Sequence, residues 1–526
     1  MKNFLYLLSA VLPAAFVSGN TVSTTINVVN RNLAPDGFTR STVVANGQFP
    51  AAPIIANKGD RLVITVNNRL TDPTMRRVTS LNLDGVFVQA PENFDEGQAF
   101  VAQCPIAPGH SFTQDVQLDP NQAGTFWYHS QLSVQYVDGF RGPLIIYDPE
   151  DPQKHLYDVD DLNTIIQLAD WWHNSSVDSL AFFAAHDMIP VADTGLINGV
   201  GRFNGGPAIP FAVVNVVQHR RYRLRIINES ARAAYNFSID SHNFTIIETD
   251  GVNTNPISGN QIPILAGQRY SVVVNANQPV GNYWINAPFS GGNAASNPNQ
   301  NLTFSRAILR YSGAPNRDPT TPRTEGPTGS ALHQVVEAQI SPLVHNPPPP
   351  ADIQLVFSVA FTPLQNGTGW RINNISYQPD RQNPTLLKVI QNGAEAQFNV
   401  SEHTIVLPQH KTVEVVFPSN DDDELHPFHM HGMNLWVVKP DSGTVNNTVN
   451  PIIRDTTGSG AAGTVVRFRT DKVGAWIYHC HIMWHMAAGL GSVMLVDPAV
   501  TQATVRPGVQ WDGLCPAYNA LPADEQ

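Results

Sequence analysis

Short runs of apolar and β-branched residues recur along this chain, and residues that favour turns separate them. The run at 61–66, Arg-Leu-Val-Ile-Thr-Val, is typical, and glycine (37 residues) and proline (41 residues) are frequent throughout. Helical periodicity is scarce. Strand-like runs bounded by turn signals are characteristic of antiparallel sandwiches. The pattern therefore predicts an all-β chain built from β-sandwiches.

One arrangement of these runs occurs three times, which indicates an internal repeat of long period. Each copy has a polar turn leading into a strand-like run, then a short motif, then a Gly-x-aromatic segment. The strand-like runs lie at 58–68, 218–228 and 409–417; the short motifs lie at 81–85, 238–242 and 426–432; the closing segments lie at 124–129, 281–285 and 474–479.

Three copies predict three tandem sandwich domains, at 21–150, 151–320 and 321–526. A length of 526 residues agrees with this division, because it is too long for a single core. The proline run at 347–350 indicates a stiff connector.

The stretch 476–486, Trp-Ile-Tyr-His-Cys-His-Ile-Met-Trp-His-Met, carries the strongest chemical signal. In an extended chain, Cys480 points to one side while His479 and His481 point to the other. One tripeptide can thus serve two metal sites on opposite faces of a strand. A thiolate with two imidazoles suits copper used for electron transfer, and His485 follows the cysteine by five residues.

Three more histidines stand upstream, in the run His-Pro-Phe-His-Met-His-Gly at 426–432. His429 and His431 share a face at a spacing of two, and the Pro-Phe step displaces His426. A single histidine on an apolar strand is usually a satisfied core residue. Six histidines and a cysteine in two short runs, in a chain with only 17 His, favour metal binding instead.

The N-terminus predicts export. Residues 1–20 begin with one lysine, continue apolar to about Val17 and end in small residues, as in a secretory signal peptide. The apolar run is too short to span a bilayer. We therefore expect a secreted, extracellular protein. Glycosylation sequons agree with export; they begin at Asn174, Asn228, Asn236, Asn243, Asn301, Asn366, Asn374, Asn399 and Asn446.

Charge and cysteine content limit which partners and which cysteine pairing are expected. Charged residues make up 14% of the chain, the net charge is −12, and a basic patch is missing, so nucleic acid and membranes are not expected partners. Of the three cysteines, Cys104 and Cys515 can pair, leaving Cys480 for a metal. That pairing requires the first domain to touch the C-terminal tail.

The chain resembles a fungal laccase, a three-domain cupredoxin multicopper oxidase, nearly end to end. The resemblance rests on 124–130, 138–143 and 196–199 and on both histidine runs. It implies an all-β fold of three tandem cupredoxin-like Greek-key β-sandwich domains. It also implies copper cofactors, small phenolic or aromatic donors, and O2 as the acceptor.

The resemblance further implies a type 1 copper in the third domain, held by His426, Cys480 and His485. The axial position falls at Leu490, which is non-ligating and in this family accompanies a relatively high potential. By resemblance, the oxygen-reducing cluster of three coppers occupies the opposite face. Asn82 and His429 would flank its type 2 position; His129, His481 and Asp84 would surround one type 3 position; Gln131, His431 and His479 would surround the other.

Here the chain departs from the family. Laccases carry His-x-His where this chain has Asn82-Leu83-Asp84, and His-Ser-His where it has His129-Ser130-Gln131. Three cluster histidines are therefore replaced, and amides are weak copper ligands beside imidazole. We expect incomplete or absent type 2 and type 3 coppers. The remaining set of His129, His481 and Asp84 suits iron, manganese, zinc or a single copper; the alternative is an empty polar pocket.

Two other departures concern the surroundings of the type 1 site and the disulfides. The family's substrate-orienting acid falls at about Arg232, where a phenol would meet a positive charge. The family's second disulfide falls at Val137 and about Ala231 and is missing.

The acidic run 421–424 precedes His426 and either favours cationic donors or is a solvated loop.

Three functions follow. The first is a laccase-like oxidase, benzenediol:oxygen in type, that takes electrons through His485 and has impaired O2 reduction. The second is a catalytically silent paralogue that binds copper or associates with an active laccase as its partner subunit. The third is altered chemistry at the Asp84 site, such as non-haem oxygen activation.

Overall fold

The computed structural model describes residues 19–88, 91–186, 188–290, 297–320, 332–364, 367–422, 424–523 and 525. The first 18 residues of the predicted signal peptide lie outside these ranges, as do the sequon residue Asn366 and the acidic residue Asp423. Within the described ranges, the structure holds no helix that is both long and apolar enough to cross a membrane.

The first predicted domain forms two four-stranded sheets, in the orders β2-β1-β4-β6 and β3-β8-β7-β5. Its strands are β1 (Thr21–Leu33), β2 (Arg40–Ala45), β3 (Ile54–Asn57), β4 (Arg61–Asn68), β5 (Asn82–Asp84), β6 (Ser111–Gln117), β7 (Gly124–His129) and β8 (Arg141–Tyr147). In β4, buried and half-exposed residues alternate, as expected for a strand with only one face in the core.

The second predicted domain forms a six-stranded and a five-stranded sheet, ordered β10-β9-β12-β17-β14-β15 and β11-β19-β18-β13-β16. Its elements are β9 (Ile165–Trp171), α1 (Ser176–His186), β10 (Thr194–Ile197), β11 (Val213–Val216), β12 (Arg221–Asn228), β13 (Tyr235–Ile239), β14 (Phe244–Thr249), β15 (Val252–Gly259), β16 (Gln261–Ile264), β17 (Arg269–Asn275), β18 (Asn282–Asn286) and β19 (Arg306–Tyr311).

The third predicted domain forms two five-stranded sheets, β20-β24-β29-β26-β27 and β23-β31-β30-β25-β28, and a separate hairpin, β21-β22. Its strands are β20 (Ile353–Val356), β21 (Val359–Leu364), β22 (Gly367–Ile372), β23 (Thr404–Leu407), β24 (Thr412–Phe417), β25 (His426–Met430), β26 (Leu435–Lys439), β27 (Ile453–Arg454), β28 (Thr456–Ser459), β29 (Thr464–Arg469), β30 (Gly474–Cys480) and β31 (Gly491–Val496). Its helices are α2 (Thr385–Asn392), α3 (Met483–Ala487), α4 (Pro498–Thr504), α5 (Val509–Asp512) and α6 (Leu514–Asn519).

The internal repeat is visible in the strand orders. The three strand-like runs contain β4, β12 and β24, and the three closing segments contain β7, β18 and β30. In the sheets that bear the short motifs, the sequences β3-β8-β7-β5, β11-β19-β18-β13 and β23-β31-β30-β25 have the same arrangement. The all-β prediction is confirmed, and the repeat places β5 and β25 at equivalent positions beside β7 and β30.

Packing joins the first domain to the end of the chain. One hydrophobic cluster combines first-domain residues with Leu386, Val505, Trp511 and Tyr518. The predicted disulfide between Cys104 and Cys515 is present in this region, with Cα atoms 5.0 Å apart and a sequence separation of 411. The first and third domains are therefore in contact, as a site shared between them requires.

Candidate metal centres

The end of β30 and the start of β25 bring the predicted type 1 residues together. His426 begins β25, Cys480 ends β30, and His485 lies in α3, which follows directly. The Nδ1 atoms of His426 and His485 each lie 3.8 Å from Cys480 Sγ, and 3.1 Å from each other. All three side chains are buried. This is a compact donor set of two imidazoles and one thiol.

Hydrogen bonds orient these donors. His426 Nε2 lies 2.9 Å from Asp422 Oδ2, and since a carboxylate only accepts, this nitrogen carries the proton and Nδ1 keeps its lone pair toward the cysteine. Leu490 is fully buried, and its carbonyl accepts from the Cys480 amide at 3.1 Å. Burial raises the pKa of the Cys480 thiol well above its ordinary value, so a bound cation would stabilise the thiolate.

Trp370 on β22 covers the two imidazoles. Its ring centre lies 4.7 Å from that of His426 and 4.4 Å from that of His485. Trp370 is itself only 8% exposed, whereas Phe361, whose ring centre lies 5.1 Å from that of Trp370, is 42% exposed. The β21-β22 hairpin therefore separates the type 1 residues from solvent.

The acidic run and Arg232 meet beside this site. Glu424 Oε1 lies 3.4 Å from Arg232 Nε, so the positive charge predicted to face a donor is paired with a carboxylate from the third domain. Asp422 contacts His426, as described above. Val137 and Ala231, at the positions of the family's second disulfide, are both buried in the main hydrophobic cluster.

On the other face of the same backbone, His479 and His481 join the histidines of β25. In the sheet register, His429 pairs with His479 and Phe428 with Cys480, so the two strands present their histidines together. His431 Nε2 lies 3.1 Å from His479 Nε2. β5 and β7 of the first domain close this face, with Asn82 opposite His129 in their register.

Asp84 lies at the centre of three imidazoles. Its Oδ2 is 3.2 Å from His481 Nε2, 3.5 Å from His129 Nε2 and 3.6 Å from His429 Nε2. The resemblance predicted the contacts with His129 and His481; the contact with His429, which it assigned to the type 2 position, is an addition.

The other Asp84 oxygen faces a guanidinium group. Arg269 Nη1 lies 3.3 Å from Asp84 Oδ1, and Arg269 also binds both oxygens of Asp455, at 2.8 and 2.6 Å. Burial alone would raise the pKa of Asp84, but the positive charges of His429 and Arg269 hold it well below its ordinary value. Asp84 is therefore an anion. Gly85 permits this approach: its φ of +81° suits glycine, and a Cβ there would collide with Arg269 Nη2.

The two amide residues that stand in place of histidines, Asn82 and Gln131, make different contacts. Asn82 Nδ2 donates to the carbonyl and the carboxylate of Glu96, at 2.9 and 2.8 Å, and the same carboxylate contacts His431 Nδ1. Gln131 Nε2 lies 3.3 Å from His479 Nε2. Burial lowers the pKa of His479, as do His431, His481 and His429. Both amides make these contacts through their nitrogen atoms, and neither supplies a strong copper ligand.

The two centres thus differ in how well they fit copper. His426, Cys480 and His485 have ligand atoms within 4.8 Å of one another, and thiolate with imidazole is the donor set of a type 1 copper. In the other centre, one carboxylate occupies the space between three imidazoles and binds an arginine. That donor set does not fit three coppers.

Four contributing residues were missed by sequence reasoning, namely Glu96, Arg269, Trp370 and Asp455. Arg269 begins a strand of the second domain, and Asp455 lies between two short strands of the third. Neither stands in a histidine or cysteine motif. The one available signal was the position of Glu96 in the 92–96 segment, three acids among five residues, which by itself indicates only a polar turn.

Comparisons with known proteins agree with the fold and the copper chemistry. Family models described as multicopper oxidase match residues 27–151, 163–314 and 373–500. The chain is 44% identical to laccase-2 of Agaricus bisporus, over 98% of this chain and 99% of that one. It is also 44% identical to laccase-4 of Thanatephorus cucumeris, over 92% and 91% of the two chains.

A solved structure extends the agreement to three dimensions. The laccase of Botrytis aclada matches with a TM-score of 0.83 and 30% identity, over 96% of this chain and 93% of that one. The prediction of three cupredoxin-type domains is confirmed by this match and by the three family-model matches. The chain belongs to the multicopper oxidase family, and within it to the fungal laccases.

Proposed function

We propose that this protein is a secreted, laccase-like oxidase that takes single electrons from phenolic or aromatic donors at its type 1 site and is impaired in reducing O2. One observation carries the proposal: the Asp84 carboxylate stands between His129, His481 and His429 and is bound by Arg269 on its other side. The part of the molecule that accepts electrons is complete, and the part that would pass them to O2 is not.

The residues around Cys480 support the proposed uptake of electrons from phenolic or aromatic donors. A copper ion bound by His426, Cys480 and His485 supplies one-electron redox chemistry. Trp370 and Phe361 present aromatic rings toward the surface above these residues. Aromatic donors suit such a surface, because rings pack favourably in offset or edge-to-face arrangements. The Arg232–Glu424 pair leaves no unbalanced positive charge from Arg232 against such a donor.

The acceptor side is supported by the contacts of the replaced residues. Four-electron reduction of O2 needs several redox sites close together. Asn82 and Gln131 are engaged in hydrogen bonds with Glu96 and His479, and Arg269 keeps a positive charge within 3.3 Å of Asp84. This fixed cation offsets part of the negative charge that would otherwise help to hold three copper ions.

The test separates the two half-reactions. The copper-loaded protein is mixed without O2 with a phenolic donor, and the visible thiolate-to-copper band is followed. We expect it to bleach, and we expect no prompt return when O2 is admitted. Cys480→Ser is the control, because it should have no band to bleach. Steady O2 uptake at ordinary enzyme turnover, about 1–10³ s⁻¹, would contradict the proposal.

The same measurement addresses the second candidate, a silent paralogue that binds copper without oxidising donors. The complete type 1 donor set favours it as much as it favours the first candidate. A band that phenolic and aromatic donors leave unbleached would select the silent paralogue.

Secretion and glycosylation belong to this proposal. They are supported by the pattern of residues 1–20 and by sequons whose asparagines are exposed, such as Asn174, Asn243, Asn399 and Asn446. Asn228 is not among them, because it is fully buried and its amide donates to the carbonyls of Ala233 and Ile264. Mass analysis of the secreted protein should find glycans on exposed asparagines and none on Asn228.

A further inference from the structure

We propose that Asp84, His129 and His481 bind one divalent first-row transition-metal ion, where the family holds a cluster of three coppers. The inference rests on the proposed function, since it names what the altered cluster holds. The ligand atoms of these three residues lie within 4.8 Å of one another, and all three side chains are buried. Two imidazoles and a carboxylate with further open positions are an established ligand set for such ions.

The hydrogen bonds of His129 prepare it as a ligand. Its Nδ1 lies 3.0 Å from the Ser130 carbonyl oxygen, and since a carbonyl only accepts, Nδ1 carries the proton. Nε2 then bears a lone pair directed at the Asp84 side of the site. That nitrogen is buried and has no hydrogen-bond partner among the described residues. A buried acceptor without a partner costs free energy, which a bound cation would remove.

A fourth donor lies within reach. His429 Nε2 is 3.6 Å from the same Asp84 oxygen and is likewise buried without a hydrogen-bond partner in the described part of the chain. Its Nδ1 lies 2.9 Å from Thr456 Oγ1 and 3.3 Å from Asp455 Oδ1. Contact with a carboxylate again places a proton on Nδ1, and Nε2 faces Asp84. A positively charged His429 would give up its Nε2 proton when that nitrogen binds the metal ion.

The net negative charge around Asp84 favours the binding of a divalent cation. A connected network joins the carboxylates of the buried Asp84, Asp455 and Asp250 and the half-buried Glu337 with the guanidinium groups of Arg269 and Arg454. Four negative groups against two positive ones leave a charge of −2. Asp84 uses its two oxygens separately: Oδ1 faces Arg269, and Oδ2 faces the imidazoles. One divalent cation at Oδ2 would neutralise the network.

The neighbouring groups are less suited to a metal, which is why we infer one ion. Asp455 has both oxygens bound by Arg269. His431 and His479 have only the amide of Gln131 beside Nε2 of His479, and the nearby carboxylate of Glu96 contacts Nδ1 of His431, on the other side of that ring. Among the described residues, the other donor group with suitable spacing is Asp84, His429 and Asp455, which shares Asp84 and has its second carboxylate bound by Arg269. The set of Asp84, His129 and His481 therefore combines two imidazole nitrogens with a carboxylate oxygen that faces them.

The first measurement is elemental analysis of the purified, secreted protein. We expect two metal ions per chain: one copper that gives the visible band and a second ion. In Asp84→Asn the second ion should be lost and the band kept, which also shows that the variant is folded. Glu96→Gln is the matched control, since it alters a buried carboxylate of the adjacent histidine group and should keep both ions.

A second measurement uses zinc directly. Cys480→Ser, stripped with a chelator, is titrated with Zn2+ in a calorimeter. We expect one binding event, and its loss when Asp84→Asn is added to the same protein. Retention of the event in that double variant would overturn the site even if folding were unperturbed.

The outcomes distinguish this inference from the proposed function. One copper per chain and no other metal overturns the inference and leaves the proposed function standing. Four coppers per chain with steady O2 reduction overturns both. A second ion that survives in Asp84→Asn, or any count other than two, overturns the inference.

Discussion

On one face of β30, Cys480 meets two imidazoles that are oriented for a metal, whereas on the other face His479 and His481 meet an amide and a carboxylate. The first site draws all its donors from the third domain. The second draws Asp84, His129 and Gln131 from the first domain. The three residues that stand in place of the family's histidines, Asn82, Asp84 and Gln131, lie in β5 or shortly after β7. They are on the first-domain side of the interface with the third domain.

The difference shows that the first and third domains remain in contact although three of the family's metal ligands between them are replaced. Asn82 and Glu96 form hydrogen bonds that reach His431, and Arg269 joins Asp84 to Asp455 across three domains. These polar contacts satisfy part of the buried groups at this interface, whereas Nε2 of His129 and of His429 has no hydrogen-bond partner among the described residues. At the predicted type 1 site, by contrast, no arginine or carboxylate lies between Cys480 and the Nδ1 atoms of His426 and His485 among the contacts of the described residues.

Restoring the three histidines should have the largest effect. In the triple variant Asn82→His, Asp84→His and Gln131→His, we expect copper content to rise and O2 uptake with a phenolic donor to begin, at about 1–10³ s⁻¹ if turnover is ordinary. Arg269 would lose Asp84 but keep Asp455 as its partner. Elemental analysis and an oxygen electrode measure the result.

The single change Asn82→His is the control for this variant, because it leaves the Asp84–Arg269 pair in place and should restore little. A triple variant that binds four coppers yet consumes no O2 would show that the impairment lies elsewhere than in the missing ligands.

Removing the Trp370 ring, which lies over His426 and His485, should have the next largest effect, on the rate at which a thiol reagent modifies Cys480. Of three cysteines, two form the disulfide and Cys480 is free and buried, so a thiol reagent reports on Cys480 alone in metal-free protein. Trp370→Ala should raise its rate of modification by about tenfold, since each ~1.4 kcal/mol removed from a local opening free energy gives that factor.

Trp370→Phe keeps an aromatic ring over His426 and His485 and should react much as the unaltered protein does. Phe361→Ala, which removes an exposed ring further out, provides a second comparison. Equal rates in all four proteins would mean that the hairpin does not control access to this face.

Removing the carboxylate on His426 should have a smaller effect. The hydrogen bond from His426 lowers the pKa of Asp422, and an anionic acceptor makes the imidazole a stronger donor to a metal. We expect Asp422→Asn to raise the potential of the type 1 site and to weaken copper binding by about 10–100-fold, the usual range for such contacts. Potentiometric titration and competition with a chelator measure both.

Asp421→Asn is the matched control, since Asp421 is the exposed neighbour in the same acidic run. If the two variants shift the potential equally, the effect comes from the general charge of the run and not from the bond to His426.

The fold and the proximity of His426, Cys480 and His485 could be predicted from the sequence for the same reason, because both depend on local patterns. His426, Cys480 and His485 stand in two short runs, and the repeat marks equivalent strands. Arg269 and Asp455 could not be predicted, because their roles depend on which side chains the folded domains bring into contact. That Asp84 would be bound as an anion by an arginine followed from no motif.

Asp95 offers the smallest effect and a direct contrast with Asp84. Both carboxyls are buried, but Asp95 accepts only a backbone N–H, that of Asp115 at 3.1 Å, and its Oδ1 has no partner among the described residues. Burial raises the pKa of Asp95 from its ordinary 3.8 to about 8. Between these values the folded carboxyl is protonated and the unfolded one is ionised, so folding takes up a proton.

Stability should therefore fall as the pH rises through that window, by at most about 1.4 kcal/mol per pH unit from this one group. In Asp95→Asn this contribution disappears, so unfolding measured from pH 4 to pH 8 should give a flatter profile than in the unaltered protein. Parallel profiles would mean that Asp95 is ionised in the folded protein without a cationic partner. Burial alone would then not protonate a carboxyl in this domain, and Arg269 and His429 would no longer be needed to explain the anionic state of Asp84.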